Sequence, residues 1–392
     1  MRQRQGARAF AIDNDKSWSA SWRAPVRIKL ETELDYRPSF PEGYRPGIGI
    51  VGCGEIVRTA HLPGYERYGQ RVVGVYDVRP EATAGIREQF GVETVFGELD
   101  ELLGHPEIEI VDVATHPDVR PALVRQALAA GKHVLAQKPF APDLATARKL
   151  VEEGERSGLT VAVNQNGRWA PAWRAATKLI EQGVIGDVVA VTHLYHHNYR
   201  FTMGTVFDEI EHLVLYDYSV HWFDITRCWL EGKTATAVRA REYRTPNQPV
   251  ESSAPWGAWA AIDYEDGSSA LIRGVGSAET SRPRKLFWVH GSEGTIRGAV
   301  LGSGPVPGEE ELELERGGTT TRFQLDGSWH TNGFAGAMGE LVTAIVEKRE
   351  PYNSARHNLL SLELTLAACL SAEDDGRPVA LEREQALAGG DR

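Results

Sequence analysis

Short apolar runs alternate with longer segments of helical spacing from Gly47 to about Trp169. Ile48, Ile50 and Val51 open the series, and runs at 72–76, 108–114, 133–136 and 160–163 continue it. Between them, 121–130 and 144–155 carry Leu, Ala and Val at three-to-four spacing, the signature of helices with one buried stripe. This alternation predicts a parallel sheet covered on both faces by helices. Past Pro171 the texture changes. A helix over 171–182 and a strand over 187–196 lead through a polar loop to a helix over about 211–230. β-like runs at 256–264, 269–274, 286–290 and 321–325 follow, separated by Gly, Asp and Pro. The expected fold class is α/β, with a second, α+β domain on a largely antiparallel sheet. Two closing helices, 332–347 and 355–370, are expected to pack back on the body, and 302–315 reads as an exposed hairpin or loop. The expected boundaries are 1–46 for an N-terminal extension, 47–170 and 171–375 for the two domains, and 376–392 for a tail. The extension is either a leader without fixed structure or an arm that packs through Trp18, Trp22 and Ile28.

Composition narrows the function. The 392 residues carry a formal net charge of −11 and show no basic patch, which argues against nucleic acid or an anionic membrane as the main partner. Cys53, Cys228 and Cys369 are far apart, so no disulfide framework is expected and a cytoplasmic location is. The basic N-terminus lacks a following apolar segment, and no run of about 18 apolar residues occurs.

Gly52 and Gly54 break the first strand just before a helix-compatible run that begins Glu55-Ile56. Side-chain-free residues let backbone approach a pyrophosphate, and the first N–H groups of a helix face its charge. The next apolar run ends on Asp77, a little over twenty residues on, where a carboxylate meets an adenosine ribose; Asp77 also suits a turn before Pro80. Val57 stands where G-x-G-x-x-G has its third glycine, so the first helix is expected to pack less closely on its strand. Ligands in such sheets bind at the carboxyl ends of the strands. Thr115 and His116, Gln137 and Lys138, and Asn164, Asn166 and Arg168 all follow strands and would line that edge.

Within the 211–230 helix, Asp217 and His221 are four apart and share a face that Asp224 continues. A carboxylate beside an imidazole suits a general acid or base near neutral pH, although the same pattern occurs around structural histidines. Lys138, made extended by the following Pro139, is either a solvated charge or an ammonium that stabilises alkoxide character in a substrate. His193, His196 and His197 cluster after a strand but lack metal-site spacing, and no metal is expected.

Taken together, 49–54, 131–139, 164–171 and 217–224 resemble the glucose–fructose oxidoreductase, inositol dehydrogenase and rhizopine-catabolism (Gfo/Idh/MocA) family. The resemblance covers about Gly47 to Leu370. It implies an N-terminal Rossmann fold, a C-terminal domain with a large open sheet, and hydride exchange between a nicotinamide and a hydroxyl of a sugar or cyclitol. It also implies that Lys138, Asp217 and His221 are catalytic, that Gly52, Gly54, Glu55, Ile56, Asp77, Arg79, Thr115, His116, Gln137 and Lys138 bind NAD, and that the chain forms a homo-dimer or homo-tetramer. In the expected mechanism Asp217 orients His221, which takes the hydroxyl proton while Lys138 steadies the oxygen, with these last two roles exchangeable. Asn164, Asn166, Arg168 and His196 are the expected substrate contacts. Gln137 departs from the family's Glu-Lys-Pro motif and removes a charge beside Lys138. Asp77 favours NAD, and the nearby Arg79 leaves NADP possible. A regulatory protein without catalysis and an enzyme that recycles its NAD while cleaving a glycoside are the competing functions.

Overall fold

The computed structural model describes residues 34–277, 285–300 and 310–381. Six parallel strands, β1 (Gly47–Val51), β2 (Val72–Tyr76), β3 (Thr94–Val95), β4 (Ile108–Val113), β5 (His133–Gln137) and β6 (Val161–Asn164), pair in the order β3-β2-β1-β4-β5-β6. β1 is buried at every residue, as a strand covered on both faces must be. Strand order reverses between β1 and β4. The connections therefore leave these neighbours toward opposite faces and open a crevice at their carboxyl ends.

The second sheet contains β7 (Val188–His197), β8 (Ala235–Tyr243), β9 (Gly257–Tyr264), β10 (Ser269–Gly276), β11 (Lys285–Gly291), β12 (Gly294–Val300), β13 (Glu310–Arg316), β14 (Thr319–Leu325) and β15 (Val379–Ala380). Its order is β14-β13-β12-β11-β7-β10-β9-β8-β15, antiparallel except for the β7–β10 pair. Helices Pro171–Glu181 and Val220–Trp229 cover one face. Trp222 stacks on Tyr195 at 3.9 Å between ring centroids, and Trp229 packs on Phe287 at 5.3 Å.

Three expectations change. Residues 310–315 of the expected exposed hairpin or loop belong to β13, an inner strand between β12 and β14, and 302–309 lie outside the described residues: Leu312 and Leu314 point inward and alternate with glutamates, one of which, Glu313, pairs with Arg297 and Arg322 on the flanking strands. Val379 pairs with Val238, so the sheet takes in two residues of the expected tail. The 211–230 segment is not one helix but a π-helical stretch, Leu213–Tyr218, followed by Val220–Trp229.

Both closing helices do pack back. Trp329–Glu347 lays Met338, Leu341 and Val342 against Ile48, Ile50 and Leu135, completing the first core. Ala355–Glu373 gives Ala355, Leu359 and Leu362 to the other face of the first sheet and Leu364, Ala367 and Ala368 to the second core. Of the expected N-terminal arm, residues 34–46 also pack on the body. Tyr36 is buried in the second core, and its hydroxyl accepts the Asp326 N–H at 2.9 Å. Trp18, Trp22 and Ile28 lie outside the described residues.

Candidate active site

Gly52 leaves β1 with φ +93, and a Cβ there would stand 2.7 Å from the Ala114 carbonyl oxygen, so only glycine fits. At Gly54 a Cβ would meet nothing within 4 Å. The turn thus leaves open space where a pyrophosphate has to approach backbone, and the residues around it fit a dinucleotide. Helical residues Glu55 and Ile56 follow, and the helix then widens into a π turn over Val57–His61, with the Leu62 N–H bonded back to Val57 O. The absent third glycine thus coincides with an expanded turn that begins on the buried Val57.

The Asp77 carboxylate, nearly buried, accepts the Cys53 N–H at 2.7 Å and the Arg79 N–H at 2.9 Å, with Arg79 Nε at 3.5 Å. It is a turn-forming residue whose charge is delivered to the glycine turn. After β4, Thr115 lies against Gly52 and the His116 ring lies 5.5 Å from that of Phe207 in the second domain. Arg120, not anticipated from sequence, is fully buried and donates to the carbonyls of Thr115 and Pro139, tying the turns after β4 and β5 together.

Lys138 follows β5 and projects toward the second domain, where Nζ donates to the Asp217 carbonyl oxygen at 2.7 Å and to Oδ1 at 3.1 Å. The expected pairing of Asp217 with His221 is therefore corrected. The π stretch ends at Tyr218 and changes the register between the two residues, and the carboxylate turns to the ammonium. His221 Nδ1 is buried with no partner among the described residues, and the ring meets Trp329 edge-on at 5.1 Å. Burial, reinforced by the charges of Lys138, His330 and Lys285, holds His221 well below the ordinary histidine range, so its imidazole is neutral at pH 7.

Arg168 is not available to a substrate. It is buried and paired with Asp224 at 2.6 and 2.7 Å, so neither residue faces the crevice. Asn166 is likewise engaged, donating to Asn164 O and accepting from Trp329 Nε1. Asn164, opposite Gln137 in the sheet, is buried with both side-chain polar atoms unpartnered among the described residues. His196 is corrected by strand periodicity: His193, Tyr195 and His197 point toward the helices, and His196 faces the other side. His197 packs on Tyr218, one residue from Asp217.

Two further residues were not anticipated. Lys285, at the start of β11, is nearly buried over the Trp329 ring at 5.3 Å. Burial pulls its ammonium down to about 8 against the charge of Glu310. His330 opens the helix that completes the first core, and burial, with Lys285 and His61 adding, holds it near 4. Both come from segments far from the glycine motif, and only the sheet brings them there. Glu211, His212 and Glu373 form the one three-residue group of metal-ligand type among the described residues.

Residues 47–165 match the family described as "Oxidoreductase family, NAD-binding Rossmann fold", and residues 177–381 match its "C-terminal alpha/beta domain". The chain is 27% identical over 354 residues to a D-apiose dehydrogenase of Paraburkholderia graminis, covering 86% of this chain and 90% of that one. Its fold is similar to an oxidoreductase from Agrobacterium radiobacter in complex with NAD+, L-tartaric acid and magnesium. That match has TM-score 0.74 and 22% identity and covers 86% of this chain and 98% of the other. Scyllo-inositol dehydrogenase from Lactobacillus casei with NAD(H) and scyllo-inositol is similar at TM-score 0.69 and 20% identity, over 86% and 99% of the two chains. The family matches span both sheets and the turns between them, and the chain belongs to the Gfo/Idh/MocA family of NAD-binding oxidoreductases.

Proposed function

We propose that the protein is an NAD-dependent dehydrogenase acting on a secondary hydroxyl of a sugar or cyclitol. The observation that carries this reading is the Lys138–Asp217 contact, which holds an ammonium at the carboxyl edge of the first sheet, beside the glycine turn. Bound nicotinamide supplies the hydride acceptor. Lys138 Nζ, charged and oriented by Asp217, donates a hydrogen bond to the substrate oxygen and stabilises its developing negative charge. His221, neutral and with Nδ1 unpartnered among the described residues, takes the hydroxyl proton. The Asp217 contact of Lys138 supports giving it the hydrogen-bonding role and His221 that of the base, the two roles that sequence left exchangeable. Asn164 supplies unspent donors and an acceptor to the same edge.

Asp77 places its charge where an adenosine ribose would lie and favours NAD over NADP. Leu194, Trp259, Leu271 and Trp288 lie on the sheet face opposite the helices, and Leu271 is 54% exposed, which supports a homo-dimer closed across that face. Among the described residues no helix is long and apolar enough to cross a membrane. The three cysteines are free and buried, which supports a cytoplasmic location.

The test is NADH absorbance with purified protein over aldoses, cyclitols and glycosides. NADH formation on one class, abolished in Lys138→Ala while NAD still binds, is expected. Glycoside conversion without net NADH would instead establish an enzyme that recycles its cofactor, and full turnover in Lys138→Ala would remove Lys138 from the mechanism.

A further inference from the structure

Beneath the turn that carries Lys138 runs a buried chain of polar groups unrelated to any pairing legible in the sequence. Asp112 lies in β4, between β1 and β5, with no exposed surface. Its Oδ2 accepts the Tyr65 hydroxyl at 2.6 Å and faces His61 Nδ1 at 2.6 Å. The other ring nitrogen, His61 Nε2, faces Gln137 Nε2 at 3.1 Å. Gln137 Oε1 accepts the Lys138 N–H at 2.8 Å.

The direction of every bond follows from chemistry. An ionised carboxylate only accepts, so the proton between His61 and Asp112 sits on Nδ1. At the other end the Lys138 N–H can only donate, so it takes Gln137 Oε1 as its acceptor and turns the amide nitrogen, a donor, toward His61. His61 Nε2 must then offer a lone pair to that donor. A carboxylate at 137 would set a second acceptor against the Nε2 lone pair, and burial makes such an unmet pair costly. It fits only if one more proton is bound, and the imidazole, the stronger base of the two, takes it.

We propose that Asp112 and His61 form, with Gln137, a relay of fixed polarity that selects an amide over a carboxylate at position 137 and orients the turn bearing Lys138. His61 is a positioning residue, two hydrogen bonds from the Lys138 backbone and out of reach of substrate. The groups that face its ring are Asp112 from β4, Tyr65 from its own helix, Gln137 from β5, and His330 and Phe334 from the helix Trp329–Glu347. The substitution of Gln for the family's Glu is then matched to the neutral state of this histidine.

The kinetic part of the test rests on the dehydrogenase reading; the spectroscopic part does not. Full-length protein labelled with 15N-histidine is followed by long-range 1H–15N NMR, with the His61 signals identified by their loss in His61→Asn. The wild-type protein should show the neutral Nδ1–H tautomer, and Gln137→Glu should turn His61 into an imidazolium at the same pH. An Nε2–H tautomer or an imidazolium in the wild type overturns the relay, as does a neutral His61 in a folded Gln137→Glu protein. His61→Asn keeps a donor for Asp112 but loses Gln137, so kcat should fall about tenfold with KM for NAD and Tm retained. An unchanged kcat overturns the positioning role, whether or not Gln137→Glu folds. If the spectra behave as expected and no sugar or cyclitol is oxidised, the proposed function fails and the relay stands.

Discussion

Lys138 and Asp217 meet across the two domains: Nζ lies 2.7 Å from the Asp217 carbonyl oxygen and 3.1 Å from its carboxylate. Half of that contact is backbone, so the ammonium keeps one partner whatever the side chain at 217. Asp217→Asn should lower kcat by about tenfold and Lys138→Ala by about 10²–10⁴, with NAD affinity unchanged in both. Steady-state kinetics beside calorimetric NAD titration measures the difference, and equal losses would mean that the Asp217 charge matters in its own right.

The Arg168–Asp224 pair is an element of stability. Both side chains are essentially unexposed, and Ser361 adds a hydrogen bond to Asp224 at 2.6 Å. Arg168→Met strands a buried carboxylate and should cost about 3–5 kcal/mol, read by urea denaturation. Burial alone would raise the Asp224 carboxyl, but the Arg168 guanidinium overrides it and holds it below the usual carboxylate range. Its stability is present above the unfolded value of about 3.9 and lost as pH falls through the depressed folded value.

His212 predicts a pH dependence of the opposite sign. It sits at φ 56 between Glu242 at 2.6 Å and Glu373 at 3.1 Å. The hydrogen bond to Glu242, opposed by burial and aided by Glu373, lifts it to about 9. A raised value contributes fully below the unfolded histidine value of about 6.5 and is lost as pH climbs through about 9. Thermal melts should therefore lose on the order of 2 kcal/mol over that window. His212→Asn, which tolerates the left-handed backbone, should flatten the profile.

Asp77 is the residue proposed to set cofactor choice. Asp77→Ala removes the charge opposed to a 2′-phosphate while leaving Arg79, and should raise kcat/KM for NADP relative to NAD by at least about tenfold. A ratio unmoved by the substitution would assign the preference to other residues.

Five strands of the first sheet were legible because they are largely apolar and end on glycine or polar turns, and the β1 and β5 boundaries fall close to where the pattern puts them; β3, only Thr94–Val95, carries no such run. β13 was not, because glutamates at 311, 313 and 315 hid the alternation of Leu312 and Leu314. Lys138, Asp217 and His221 were singled out together, but the contact of Asp217 with Lys138 was not foreseen because i, i+4 spacing presumes an ordinary helix and the chain makes a π turn there. His196 was chosen over His197 because a cluster of three histidines does not disclose which way a strand faces. Lys285 and His330 lie far from any motif, and only the pairing of β11 with β7 and the return of the closing helix bring them to the site.

Met338, Leu341 and Val342 come from near the end of the chain yet fill the floor beneath its first strand. The dinucleotide half is thus continuous in its strands and discontinuous in its core. During synthesis its sheet emerges first, but the apolar underside stays uncovered until the helix Trp329–Glu347 has emerged. Translation order and folding order differ here, and a nascent chain halted after the first domain presents that bare face to chaperones.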